Sequence, residues 1–107
     1  MPNQQSKYQL LKSLEQDANL TQRQLSKELE ISLGKVNYCL QSLIQKGFVK
    51  INNFKNSKHK AHYSYLLTPK GIEEKTKLTL EFLKAKTEEY EALKKEVERI
   101  STKNQSL

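Results

Sequence analysis

Between Ser32 and Lys46 the chain carries Gly34, Lys35, Asn37, Tyr38, Gln41 and Gln45. At about 100° per residue, Gly34, Tyr38, Gln41 and Gln45 share one side of a helix, with Lys35, Asn37 and Ser42 at its edges. Val36, Leu40 and Leu43 gather on the other side, flanked by Cys39 and Ile44. An ordinary solvated face is filled with strong helix formers such as Glu, Lys and Ala. This one holds glycine, tyrosine and carboxamides, and no acid occurs from Ser32 to Lys50. Carboxamides make paired hydrogen bonds to adenine edges, and lysine reaches guanine acceptors or phosphate. Gly34 lets one backbone approach another, helix N-terminal N–H groups bind phosphate, and Tyr38 can pack on a thymine methyl or bond a phosphate. The chemistry implied is recognition of double-stranded DNA. Gln45, farther from the helix start, is expected to lie beyond contact.

A second set follows at once. Lys55, Lys58, His59 and Lys60 crowd into a polar stretch that suits phosphate or minor-groove contacts, as lysine positions rather than reads bases. The candidate DNA contacts are therefore Ser32, Gly34, Lys35, Asn37, Tyr38, Gln41, Lys55, Lys58, His59 and Lys60. His59 and His62 have no carboxylate or cysteine beside them, and lone Cys39 forms neither disulfide nor zinc cluster, so no metal is expected. No paired carboxylates, Ser/His/Asp or Cys/His constellation or phosphate loop is present; the chain reads as a non-enzyme without cofactors.

Charge distribution agrees. The 107 residues carry a net charge of +7. Residues 1–47 hold six basic and four acidic side chains, residues 48–71 five and none, and residues 72–107 eight of each. The excess thus sits before the C-terminal segment, where a polyanion would be met. No apolar run approaches the roughly 20 residues of a membrane span, and "MPNQQSKYQ" is unlike a signal peptide, so a cytoplasmic location is expected.

Elements must present these residues. Ser6 with Gln9 and Thr21 with Gln24 have capping-box spacing and predict two helix starts, the second helix ending near Leu29. Ser32 caps a third helix that Gly47 stops. "FVKINNF" and "HYSYLLT" read as two strands of a hairpin whose tip is "KNSKHKA". "TPKG" then opens a helix, with Thr68 as cap and Pro69 at the first position. The fold class is mainly α with a small β-hairpin (α+β). Residues 1–71 form a winged helix-turn-helix domain, and residues 72–107 a long C-terminal helix with a disordered tail.

Ile72, Thr76, Thr79, Leu83, Lys86, Tyr90, Leu93, Val97 and Ile100 are spaced by alternating fours and threes, a heptad seam. Leu78, Leu80 and Phe82 widen the first half and predict packing on the domain. The second half keeps only the seam, so Leu83, Tyr90, Leu93, Val97 and Ile100 are expected to join two copies. In a parallel pair Glu89 would face Lys94 of the second copy. A homodimer would select a pseudo-palindrome.

"SLGKVNYCL", "NFKNSK" and "YLLTPKGIEEK" resemble the MarR-like regulators associated with exopolysaccharide (EPS) synthesis, over about residues 6–98. "VNYCLQSLIQKGFVK" and "LTPKG" resemble the wider MarR pattern. The resemblance implies a dimeric, DNA-binding transcriptional regulator found among bacterial polysaccharide-synthesis genes. Two departures stand out. "SKHKAHY" replaces the usual Asp-x-Arg wing element, with Lys60 roughly where arginine is expected. The length also leaves little room for further terminal helices, so phenolic-ligand sensing is not carried over and no small-molecule effector is named. The competing reading is a protein-interaction module built on the same scaffold.

Overall fold

A computed structural model describes residues 3–55 and 61–105. The order is α1 (Gln4–Gln16), α2 (Gln22–Leu29), α3 (Leu33–Gln45), β1 (Val49–Lys55), β2 (Ala61–Leu67) and α4 (Pro69–Gln105). This is the winged helix-turn-helix that the sequence predicts.

Caps account for most of the boundaries. Asn3, not Ser6, opens α1: its side chain accepts from the Ser6 backbone N–H at 2.7 Å, while Ser6 lies inside the helix and is buried. At α2 the predicted box is present in both directions, Thr21 N–H to Gln24 Oε1 (2.8 Å) and Gln24 N–H to Thr21 Oγ1 (3.1 Å). The turn between α2 and α3 places Glu30 at φ 57°, a left-handed conformation that side chains resist. Ile31 N–H donates to the Ser26 carbonyl at 3.2 Å, and Ser26 Oγ donates to the Ile31 carbonyl, closing that turn.

Helix α3 ends in a Schellman motif. Phe48 N–H reaches the Leu43 carbonyl (2.9 Å) and Gly47 N–H the Ile44 carbonyl (3.0 Å), with Gly47 at φ 77°. Phe48 and Leu43 then pack in the same core. That core draws Leu10, Leu11 and Leu14 from α1, Leu25 from α2, and Val36, Cys39, Leu40 and Leu43 from α3. Val49 and Tyr65 close it from the wing and Leu78 from α4.

The wing is antiparallel, with Val49 opposite Leu67, Ile51 opposite Tyr65 and Asn53 opposite Tyr63. The α1–α2 connection anchors β2: Tyr65 N–H donates to the Ala18 carbonyl (3.0 Å), and Ser64 Oγ to Asn19 Oδ1 (2.7 Å).

Two features of α4 differ from expectation. The segment from Ser101 to Gln105, predicted to be disordered, continues the helix, giving 37 residues in all. No proline or glycine follows Gly71, so nothing in the chain stops it. Leu80, predicted to pack on the domain, is 60% exposed, because the domain takes Leu78 and Phe82 instead. Phe82 meets Tyr8 with ring centroids 5.2 Å apart, and ion pairs Lys7–Glu74 and Lys75–Glu15 fasten α4 to α1.

Candidate nucleic-acid interface

The polar side of α3 is open. Ser32, Gly34, Asn37, Gln41 and Gln45 are exposed, Tyr38 is 53% exposed, and Lys35 is half-buried. Opposite them Val36, Cys39, Leu40 and Leu43 are buried, so one helix separates packing from surface chemistry as its periodicity requires. Burial pushes the Cys39 thiol above its ordinary range, with nearby Lys35 pulling the other way. It is a packed side chain on the core face.

Ser32 serves the helix first: its hydroxyl accepts from Lys35 N–H at 3.1 Å. Gly34 follows that cap within the first turn, and a Cβ there would meet nothing within 4 Å. The absence of a side chain relieves no crowding inside the molecule.

Asn37 is tethered, which its sequence position does not reveal. Gln22 Nε2, in the first turn of α2, donates to Asn37 Oδ1 (3.3 Å) and to Tyr65 Oη (3.2 Å). One carboxamide thus joins α2, α3 and β2 at the exposed edge of the three elements. Asn37 accepts at Oδ1, and its amide nitrogen remains a donor group. Gln22 and Tyr65 are absent from the sequence-based candidates. The partners of Gln22 lie 15 and 43 residues away in sequence, and no local pattern marks them.

The wing follows α3 directly through Gly47, and Lys50 in β1 is exposed. Tyr63 is 49% exposed and Ile51 38%. They share the sheet face of Tyr65, Ile51 directly opposite it and Tyr63 one step nearer the hairpin tip, and so extend the apolar wing surface. Lys55 ends β1, while Lys58, His59 and Lys60 lie outside the described residues. No acidic side chain occurs between Glu30 and Glu73, so α3 and the wing form one acid-free surface. Among the described residues no group of three or more His, Cys, Asp or Glu is placed to hold a metal.

The seam candidates are exposed along α4: Leu83 60%, Tyr90 61%, Leu93 60%, Val97 61% and Ile100 50%. Among the described residues no helix is long and apolar enough to cross a membrane.

A winged helix-turn-helix DNA-binding family model matches residues 4–50. That region is α1 to α3 and the start of the wing. Over about three quarters of its length the chain has the fold of solved MarR-family transcription regulators. The adhesin competence repressor AdcR of Streptococcus pyogenes is similar at 22% identity and a TM-score of 0.62, over 84% of this chain and 65% of that one. A point mutant of Staphylococcus aureus MepR, bound to an oligodeoxyribonucleotide, is similar at 21% identity and a TM-score of 0.59, over 91% and 76%. Staphylococcus aureus MarR, in complex with salicylate and kanamycin, is similar at 21% and 0.58, over 76% and 53%. The chain therefore spans between about half and two thirds of the length of the MarR and AdcR chains. Among curated proteins none matches the sequence.

Proposed function

We propose that this chain is a sequence-specific transcriptional regulator in the cytoplasm that binds a pseudo-palindromic operator as a dimer. Helix α3 enters the major groove with Gly34, Lys35, Asn37, Tyr38 and Gln41 toward the bases and phosphates. Lys50 and the lysines of the wing follow the adjacent backbone. The observation that carries this reading is the exposed, acid-free polar face of α3 beside a wing with no acid. Such a surface avoids phosphate repulsion and keeps donors and acceptors free for base edges. MepR, which shares the fold, is bound to an oligodeoxyribonucleotide, and that supports the same use here. The resemblance to EPS-associated regulators adds a target class, genes of polysaccharide synthesis. Shared fold does not carry a small-molecule effector with it.

Selection of bound genomic fragments with purified protein gives the operator, and fluorescence anisotropy then measures affinity. Binding is expected to fall at least tenfold between 50 and 200 mM salt, roughly as phosphate neutralisation requires. Alanine at Asn37 or Gln41 should weaken operator binding by about tenfold, near 1–2 kcal/mol, and random DNA much less. Equal affinity for operator and random duplex would refute sequence-specific recognition.

A further inference from the structure

The exposed seam of α4 defines its own partner. At about 100° per residue, Gly71, Leu78 and Phe82 fall on one side of α4, and that side meets the domain. Leu83, Tyr90 and Val97 fall about 80–120° from that side, while Leu93 and Ile100, nearer to it in angle, come only after the last turn that meets the domain. Leu83 is 60% exposed even alongside the packed turns, so the domain of the same chain does not cover the seam.

From this we infer that a second copy covers it, in parallel and in register. The seam has Leu83, Tyr90 and Val97 at a, with Leu93 and Ile100 at d, an apolar stripe of heptad period. Flanking charges decide the direction. In a parallel pair Glu89 at g faces Lys94 at e of the second copy, twice by symmetry. Glu89 is free to turn, since its Lys86 partner stands at 3.7 Å with both side chains mostly exposed. An antiparallel pair sets g against g and e against e. Keeping Tyr90 on Leu93 then opposes Glu89 to Glu96, like charges, and Glu96 is already held by Arg99 of its own helix. Sliding one heptad toward the tail gains Glu89–Lys103 only together with Glu96–Glu96 and Lys94–Lys94 oppositions.

Direction has a consequence for the proposed operator, on which this last step rests. Parallel helices bring both winged domains to one end. Antiparallel helices would hold them at opposite ends of a rod about 55 Å long, against the roughly 34–36 Å between half-sites one turn apart.

Disulfide trapping in the full chain tests the direction without DNA. Facing a positions in a parallel pair lie about 6 Å apart, within disulfide reach. Val97→Cys should therefore cross-link to itself at least tenfold faster than Glu88→Cys, which lies on the outer face. Wild type, with Cys39 buried, is the background. A mixed disulfide between Leu83→Cys and Ile100→Cys, with none from Val97→Cys alone, would overturn the parallel arrangement. A monomer mass by light scattering at 100 μM (a concentration on the order of that used for weak dimers) would overturn the seam altogether. Trapped parallel dimers that ignore DNA would leave this inference standing and defeat only the proposed function.

Discussion

Gly34 separates folding from recognition at the level of one residue. In a helix interior glycine costs about 1 kcal/mol relative to alanine, and here no neighbour demands its small size. Gly34→Ala should therefore raise stability by about 0.5–1 kcal/mol in urea melts. The same methyl stands on the face proposed to meet DNA, so operator affinity should fall at least several-fold. A variant that gains stability and binds as well as wild type would remove Gly34 from the interface. The opposed face was legible in the sequence because a 3.6-residue period sorts Val36, Leu40 and Leu43 from Tyr38 and Gln41. The tether of Gln22 to Asn37 and Tyr65 was not. Periodicity describes one helix at a time, whereas this contact depends on how three elements converge.

At the scale of elements, the end of α3 and the start of α4 form one joint. Thr68 N–H donates to the Phe48 carbonyl (3.1 Å), Thr68 Oγ1 to the Gly47 carbonyl (2.5 Å), and Lys70 Nζ to the Lys46 carbonyl (3.0 Å). Thr68 Oγ1 also accepts from Gly71 N–H at 3.0 Å, so the cap of one helix satisfies the end of another. Here glycine is demanded: a Cβ at Gly71 would stand 2.9 Å from the Phe48 carbonyl carbon and nearer still to its oxygen. Backbone cannot step aside as a flexible side chain does. Gly71→Ala should cost about 2 kcal/mol and lower Tm by roughly 10 °C, despite alanine's better helix propensity. An unchanged Tm in thermal melts would show that the joint relaxes without penalty. Caps at Thr21, Ser32 and Thr68 were legible because each is a local pairing. Ser6 misled since Asn3 offers the same chemistry one turn earlier, and the Gly71 approach is a long-range contact that "TPKG" alone does not disclose.

For the whole molecule, shape states the remaining problem. The chain measures 76 × 26 × 24 Å with a radius of gyration of 19.7 Å, where a compact chain of this length would be about 13 Å. The excess is the second half of α4, exposed on every side from Leu83 through Asn104. Its surface ion pairs Lys86–Glu89 and Glu96–Arg99 contribute little, and most of a helix's stability comes from packing its apolar face. The domain has its own core, and on the proposed pairing the distal helix draws its stability from association. Stability linked to association rises with protein concentration by mass action. A tenfold increase should raise the Tm followed by far-ultraviolet dichroism by about 4 °C. Val97→Asp would place a charge in the seam, abolish that dependence and melt the distal helix first. The tertiary signal of Tyr8 and Tyr65, in and around the domain core, should then change little, because Val97 makes no part of that core. A Tm independent of concentration in the wild type would mean that the distal helix stands alone, and that paired half-site reading needs a different interface.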